Sequence, residues 1–175
     1  MGEPKRQILI LGGARCVWKD IESLADCMPD DIAAVNDIGS HWPGRLVFWA
    51  SLHPRKLPHW EKQRTVHKYV NGYIRYGNKY GFPLVDKVVP DWGGSSGLFA
   101  VKIALDLGYE DIILAGIPME AEAGHFFNKQ QWAECNRYRA AWVKRPWLSK
   151  FVRSCSGWTR EILGAPDCQK PNEGS

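Results

Sequence analysis

The sequence predicts an α/β fold: a single Rossmann-like three-layer domain with a mostly parallel sheet and helices on both faces. Short apolar runs are repeatedly followed by a glycine or Asn-Asp turn and then by apolar residues at helical spacing. The runs are apolar throughout instead of alternating with polar residues, which is typical of parallel strands buried on both faces. The 175-residue chain has the size of one domain, which we expect to span residues 1–175.

Three strands are predicted in the first half of the chain. Residues 7–11 form a leucine and β-branched run that ends at Gly12, and Val17, Ile21 and Leu24 then recur at the spacing of a helix that reaches residue 28. Two more strands follow at residues 32–35 and 46–52, and a short, mostly exposed helix follows at residues 55–64.

The second half begins with a segment that is harder to assign. Glycines and Pro83 interrupt residues 66–90, so we expect an excursion or flap there, with one short strand at residues 87–89. Residues 96–107 carry the strongest helix pattern, with serines for the N-cap and Gly108 for the C-cap. We then expect a strand at residues 111–115, a helix at 130–143 and a second strand at 150–153. A short helix at residues 157–163 and a flexible tail at 165–175 complete the prediction.

Composition excludes several classes of protein. No segment approaches the roughly 18 unbroken apolar residues of a membrane helix, and the start of the chain lacks the apolar stretch of a secretory signal, so we expect a cytoplasmic protein with no membrane partner. The five cysteines are scattered without zinc-site or disulfide-framework spacing, so reduced thiols and no bound metal are expected. The net charge is +4, and the basic residues are interleaved with acidic ones, which suits an anionic small molecule. The sequence leaves homo-oligomerisation open.

Candidate ligand-binding residues follow the predicted strands, because parallel sheets bind ligands beyond the carboxyl ends of their strands. The turn from Gly93 to Gly97 carries the clearest signal, since its glycines allow close approach and the following helix start suits a phosphate. The alternative is a tight connection without a ligand. The full set of candidates is Gly12, Gly13, Arg15, Asn36, Asp37, Ser51, Gly93, Gly94, Ser95, Ser96, Gly97, Gly116, Glu120 and Ser156.

The other candidates have simple structural alternatives. The turn after the first strand lacks the G-x-G-x-x-G spacing of a dinucleotide site, but Arg15 offers a planar fork for a phosphate, unless it is only a surface arginine. Asn36 and Asp37 suit a base or ribose, or else form an ordinary Asx turn. Ser51 and His53 end the third strand, and a solvated loop histidine is the alternative for His53.

His125 is the candidate general base, with His53 as the weaker catalytic candidate. His125 lies in a loop after the strand that ends at Gly116, and an imidazole titrates near neutrality. No Ser-His-Asp order, nucleophile elbow or Walker A loop is present, so hydrolase and kinase functions based on those motifs have no support. A basic, tyrosine-rich stretch at residues 60–80 keeps a nucleic acid open as a partner. The favoured interpretation of this stretch is a solvated flap.

Two motifs combine into a recognisable pattern. One is a strand that ends in an asparagine, Ala33-Ala34-Val35-Asn36, and the other is the Ser96-Gly97 helix followed by Ala104-Leu105-Asp106-Leu107-Gly108-Tyr109 and a strand ending at Gly116. Together they resemble the sialyltransferase-like Rossmann family, which includes bacterial sialyltransferases and related pterin-pyrophosphokinase-like and motility-accessory proteins. The resemblance covers residues 7–127 and, more weakly, residues 151–163.

The resemblance implies a ligand and roles for several residues. The best-known members of the family bind a cytidine nucleotide linked to a sugar. In this chain the resemblance implies that the turn at Gly12 to Arg15, Asn36 and the Ser96-Gly97 helix start bind it. It also implies that His125 is the general base. No cofactor beyond this nucleotide or nucleotide-sugar ligand is implied. The chain departs from the family where relatives carry Gly-x-Asp, because it has Gly116-Ile117-Pro118 and loses that acid unless Glu120 replaces it.

Three functions follow as hypotheses. A nucleotide-sugar-dependent, glycosyltransferase-like enzyme is the leading one. Because the chain is shorter than working sialyltransferases and resembles small phage-encoded proteins, the first alternative is a non-catalytic module that binds or sequesters a nucleotide, with phage counter-defence as a setting. The second alternative is a nucleic-acid-associated modification protein.

Overall fold

The structure, a computed structural model, describes residues 5–127 and 131–169. Its centre is a seven-stranded sheet with the order β5-β4-β3-β2-β1-β6-β7, in which every pair of neighbours is parallel. This confirms the predicted α/β class and mostly parallel sheet. The strands are β1 Gln7–Leu11, β2 Ile32–Val35, β3 Phe48–Ser51, β4 Ile74–Gly77, β5 Lys87–Val88, β6 Asp111–Ala115 and β7 Val152–Ser154.

Helices cover the sheet on both faces, which makes three layers. Side chains alternate along β1, so Ile8 and Ile10 pack under α3 while Leu9 and Leu11 pack under α1 and α2. All four side chains are fully buried, as expected of a strand covered on both faces. The helices are α1 Val17–Glu22, α2 Leu57–Val66, α3 Ser96–Asp106, α4 Cys135–Val143 and α5 Gly157–Leu163.

Local signals place α3 where the sequence predicted it. The Ser95 side chain caps the helix by accepting a hydrogen bond from the Leu98 amide at 3.3 Å. Gly108, at φ +81°, ends it in the left-handed conformation that favours glycine. The apolar side chains of α3 pack on β1, β2 and β3, so its first turn is held beside the carboxyl ends of those strands.

Residues 66–90 differ from the expectation in one respect, because Ile74–Gly77 form a second strand of the sheet within this segment. β4 pairs with β3, and the predicted short strand is β5 at the sheet edge. The strand pattern of β4 is hidden because it contains Arg75, whose guanidinium pairs with Asp86 at 2.7 Å and with Glu61 at 3.3 Å. β4 lies next to the edge strand, and these two carboxylates neutralise the charge that Arg75 brings into it.

Several boundaries also differ from the prediction. α1 ends six residues early, and the helix expected at residues 130–143 begins at Cys135, with residue 130 outside the described residues. The last strand lies at Val152–Ser154 instead of residues 150–153, because Pro146–Lys150 forms a 3₁₀ turn. The helix expected to be mostly exposed at residues 55–64 buries Leu57, Trp60 and Arg64.

The prediction of reduced thiols is wrong for one pair of cysteines. Cys27 and Cys168 form a disulfide across 141 residues of sequence. It ties the 3₁₀ turn Asp167–Gln169 to the region after α1, so the start of the expected flexible tail is anchored, and residues 170–175 lie outside the described residues. Among the described residues, no helix has both the length and the apolar content needed to span a membrane.

Candidate functional site

A cleft of about 700 Å³ opens at the carboxyl ends of β1, β2, β3 and β6. This size is typical of small-molecule sites. The strand order reverses at β1, which has β2 on one side and β6 on the other, and such a reversal is where open parallel sheets bind ligands. The candidate residues that line the cleft are Gly12, Gly13, Asn36, Asp37, His53, Gly94, Ser95, Ser96, Gly97, Gly116, Glu120 and His125.

Two glycines let the loops after β1 and β6 touch at the floor of the cleft. The Gly12 amide donates to the Ala115 carbonyl at 2.8 Å, and the Ala14 amide donates to the Gly116 carbonyl at 3.0 Å. A Cβ on Gly12 would lie 2.5 Å from the Gly116 oxygen, and a Cβ on Gly116 would lie 2.5 Å from the Gly12 oxygen. Only glycine at these two positions allows this contact.

The 3₁₀ turn Asn36–Ser40, which we call the Asn36 turn, presents two polar side chains to the cleft. Asn36 has a left-handed backbone, at φ +56°, which asparagine tolerates better than most residues. Ser51 donates to Asn36 Oδ1 at 2.8 Å, and the Trp49 indole donates to the Asn36 carbonyl at 2.5 Å. The side-chain nitrogen Nδ2 of Asn36 has no hydrogen-bond partner among the described residues, so it can donate to a ligand.

The first turn of α3 supplies further donors to the cleft. Ser96 accepts a hydrogen bond from the Leu52 amide at 3.3 Å, so its hydroxyl proton is free to donate. The backbone amides of Ser96 and Gly97 have no acceptor within the described part of the chain. Unpaired amides at a helix start, with the partial positive charge of the helix dipole, suit an anion such as a phosphate.

His125 and Asp37 form a close pair in the middle of the cleft. The His125 Nε2 atom lies 3.2 Å from Asp37 Oδ1 and 3.1 Å from Asp37 Oδ2. His125 is held in place because residues 124–126 pair with the turn after β1, where Phe126 donates to the Gly13 carbonyl at 3.0 Å. Gly13 is needed for this approach, since a Cβ there would lie 2.9 Å from Nε2.

The hydrogen bonds of His125 assign its two nitrogens. Nδ1 accepts from the Phe127 amide at 3.2 Å, so the proton of the neutral ring is on Nε2 and is donated to Asp37. An aspartate in this position fixes the tautomer and stabilises the imidazolium that forms when the ring takes up a proton. The nitrogen able to accept a proton is therefore Nδ1.

His53 and Lys56 lie at the mouth of the cleft, near the end of β3. Partial desolvation lowers the pKa of His53 from its usual value, and the positive charge of Lys56 lowers it further. At neutral pH the ring is therefore uncharged, and no carboxylate among the described residues orients it. Lys56 also lines the cleft and adds a positive charge to it.

Four predicted ligand-binding residues do not line the cleft. Arg15 is exposed on its outer side, and Gly93 is exposed with its amide bonded to Asp91 at 2.7 Å. Ser51 is fully buried behind Asn36, where it also accepts from the His53 amide at 2.8 Å. Ser156 donates to Asp20 at 2.8 Å. The structure thus gives Ser51 and Ser156 supporting positions instead of ligand contacts.

The Asp20 carboxylate was not singled out from the sequence, since a lone acid in a helix carries no signal. It is buried and accepts from the Gly116 amide at 2.8 Å as well as from Ser156, so it joins β6 to the start of α5. Cys16 lies beside Ser156 at 3.3 Å. Burial raises the pKa of the Cys16 thiol to about 11, partly offset by the Ser156 hydrogen bond and reinforced by Asp20. The thiol is therefore protonated and is no nucleophile at neutral pH.

An aromatic wall formed by Trp60, Trp132 and Tyr138 also lines the cleft and was missed. The rings of Trp132 and Tyr138 are stacked with centroids 5.2 Å apart. In the basic, tyrosine-rich stretch, Tyr76 is buried and Tyr73 donates to Glu61 at 3.0 Å. His67, Lys68, Lys79 and Tyr80 of the same stretch are exposed. Within residues 5–127 and 131–169, no group of His, Cys, Asp or Glu side chains is arranged to hold a metal ion.

A second cavity, of about 310 Å³, lies at the opposite edge of the sheet. It is lined by Gln7 and Asp111, the first residues of β1 and β6, and by the Cys27–Cys168 disulfide. None of the predicted ligand-binding residues lines it. The cleft at the carboxyl edge is therefore the candidate site.

Comparisons with known proteins bear on the fold of the chain. No protein-family model matches the chain, and no curated protein matches it in sequence. Two solved structures of a sialyltransferase do match. One is CST-II in complex with a trisaccharide acceptor and CMP, at a TM-score of 0.64 and 11% identity, covering 94% of this chain and 88% of that chain.

The other is CstII from Campylobacter jejuni in complex with a substrate analogue, cytidine-5'-monophosphate, at a TM-score of 0.66 and 11% identity, covering 98% of this chain and 89% of that one. The chain shares the CstII fold. The match spans most of both solved chains.

Proposed function

We propose that the cleft binds a cytidine nucleotide linked to a sugar and transfers the sugar to an acceptor hydroxyl. One observation carries this proposal. The loop after β1, the Asn36 turn, the α3 start and the His125–Asp37 pair meet in one cleft at the point where the strand order reverses. The same fold in CstII holds CMP, which supports a cytidine nucleotide as the ligand.

Different parts of the cleft bind different parts of the ligand. In this proposal the phosphate lies against the Ser96 and Gly97 amides, with the Ser96 hydroxyl as a further donor and Lys56 as a counter-charge. The free Nδ2 of Asn36 donates to the base or ribose. The aromatic wall offers ring faces for the sugar or the base, and such contacts are apolar and directional.

His125 is the general base of the proposed transfer. Nδ1 takes the proton of the acceptor hydroxyl while the acceptor oxygen bonds to the anomeric carbon of the sugar and the bond from that carbon to the phosphate oxygen breaks. The electron pair leaves with the nucleotide phosphate, where the α3 start stabilises the charge. Asp37 stabilises the imidazolium. The acceptor hydroxyl must displace the Phe127 amide from Nδ1, because that amide occupies the lone pair in the unliganded protein.

The alternative function is nucleotide binding without turnover. Two observations favour it: the lone pair of His125 Nδ1 is already engaged, and Pro118 lines the cleft where relatives carry an acid. Glu120 also lines the cleft and is the remaining acid on this loop. A bound nucleotide sugar recovered unchanged and in stoichiometric amount after denaturation, with an acceptor present, would establish this alternative.

A thermal-shift comparison of CMP and AMP tests the ligand assignment. At a concentration of a hundred times its dissociation constant, CMP is expected to stabilise the protein by about 2.7 kcal/mol, which raises Tm by about 5–10 °C in a domain of this size. AMP carries the same phosphate, so it is the control for the base. An equal shift with AMP would reduce the claim to phosphate binding, and no shift with CMP, UMP or their sugar conjugates would contradict it.

A further inference from the structure

Arg64 on α2 is a fully buried arginine whose partners are backbone carbonyls. Its guanidinium donates to the carbonyls of Gly39 at 2.8 Å, Trp42 at 2.5 Å and Gly44 at 2.8 Å. It also donates to the Val70 carbonyl through Nε at 3.1 Å and through a second, shorter contact. The planar fork of the guanidinium is thus used by two stretches of loop backbone, residues 39–44 and Val70 in the loop after α2.

Burying this charge is costly, and nothing among the described residues neutralises it. Within the described part of the chain no carboxylate contacts the guanidinium, which lies 5.7 Å from the ring centroids of Tyr69 and Tyr73. Desolvation lowers the pKa of Arg64, but an arginine remains charged in proteins. An apolar side chain of similar volume would fill the space without that cost, so packing alone does not explain the arginine.

Three of the four carbonyls that Arg64 holds lie in or directly after the Asn36 turn, and the fourth, that of Val70, follows α2. Gly39 is part of the turn, and Trp42 and Gly44 follow it. The start of the same turn is fixed by the Trp49 indole, which donates to the Asn36 carbonyl at 2.5 Å. The turn also packs tightly on that ring, since a Cβ on Gly39 would lie 2.2 Å from it. Arg64 therefore fixes the end of the turn whose start carries Asn36 and Asp37.

We propose that Arg64 is a positioning residue of the cleft. It sets the pose of the Asn36 amide and, through Asp37, of the His125 ring, without contacting the ligand. Lysine cannot replace it, because a single ammonium reaches fewer of these carbonyls than a planar fork with five donors. The consequence for ligand binding rests on the proposed function, whereas the effect on the Asn36 turn does not.

The test compares Arg64→Lys with Arg153→Lys. Arg153 also donates to backbone carbonyls, those of Val152 at 2.9 Å and Leu163 at 3.3 Å, but it lines the cavity at the opposite edge of the sheet. Two quantities are measured on the full chain under conditions where each variant is folded. They are the exchange rates of the His41 and Trp42 amides, which donate to Ile38 at the end of the turn, and the Kd for CMP.

For Arg64→Lys we expect both amides to exchange at least about tenfold faster and CMP to bind about tenfold more weakly, the factor that corresponds to about 1.4 kcal/mol. The α3 amides should exchange as in the parent protein, and Arg153→Lys should change neither quantity. Unchanged exchange at His41 and Trp42 would overturn the proposal, as would faster exchange that spreads equally to α3.

Arg64→Gln, which keeps a planar donor pair, is measured in parallel. Its amide exchange rates and its Kd for CMP should lie between those of the parent protein and those of Arg64→Lys. If neither Arg64 variant folds, the arginine serves the fold as a whole and the positioning role is wrong. If the parent protein does not bind CMP, the proposed function fails, and the exchange rates alone decide the role of Arg64.

Discussion

Replacing His125 with alanine is expected to lower the turnover of a cytidine-nucleotide sugar by about 100- to 10,000-fold, the usual contribution of a positioned general base. The loss should fall on kcat, because Nδ1 acts on the acceptor proton and not on the donor nucleotide. The affinity for CMP should change little, since the proposed phosphate contacts belong to the α3 start. Steady-state kinetics with a saturating donor and a simple sugar acceptor measure both quantities.

His53→Ala is the matched control for this experiment. His53 lines the same cleft, but no carboxylate among the described residues orients it, and desolvation lowers its pKa. We expect its removal to leave kcat within a few-fold of the parent value. Turnover that survives in His125→Ala would show that the general-base assignment is wrong, and a selective loss in His53→Ala would transfer that role to His53.

Gly116→Ala is expected to destabilise the protein by about 3 kcal/mol or more, the largest stability effect among the substitutions considered. Gly116 has φ +70°, and a Cβ there would lie 2.5 Å from the Gly12 oxygen and 2.6 Å from Val17 Cβ. Neither neighbour can move freely, because one is backbone at the floor of the cleft and the other is fully buried in α1. Urea unfolding followed by circular dichroism measures the free energy of unfolding.

Gly93→Ala separates the two causes of this effect. Gly93 has a similar backbone, at φ +74°, but a Cβ there would meet nothing within 4 Å. Its substitution should therefore cost only the backbone strain, about 1 kcal/mol. Equal losses in the two variants would mean that the contact between the loops after β1 and β6 is not as tight as the structure has it.

The parts of the fold that the sequence predicted are those with local signals. β1, β2 and β6 are short apolar runs closed by a turn, and their observed bounds match the predicted ones. α3 has an apolar stripe, a serine cap and a terminal glycine, each of which acts within a few residues. The position of the cleft also followed, because the carboxyl edge of a parallel sheet is fixed once the strands are known.

The parts that the sequence did not predict depend on distant partners. β4 becomes a strand because it pairs with β3 at one side and because Asp86 and Glu61 neutralise its Arg75. The Cys27–Cys168 disulfide joins residues 141 positions apart, and no spacing rule identifies it. The helix expected to be mostly exposed buries Arg64, whose acceptors are backbone carbonyls that a sequence pattern does not display.

The candidate site shows the same division. Asn36, Asp37 and His125 were selected because they follow strands, and all three line the cleft. The contact between Asp37 and His125 spans 88 residues and appears only in three dimensions. The same rule also selected Ser51 and Ser156, whose hydroxyls turn inward to hold Asn36 and Asp20. Whether a side chain at a strand end faces the ligand or supports a neighbour depends on that local geometry.

A crystal structure of the protein with CMP tests the central claim most directly. We predict the phosphate within about 2.7–3.2 Å of the Ser96 and Gly97 amides, and the Asn36 amide in contact with the ribose or the base. A phosphate bound elsewhere, for example at the exposed Arg15, or an empty cleft in crystals soaked at saturating CMP would contradict the account.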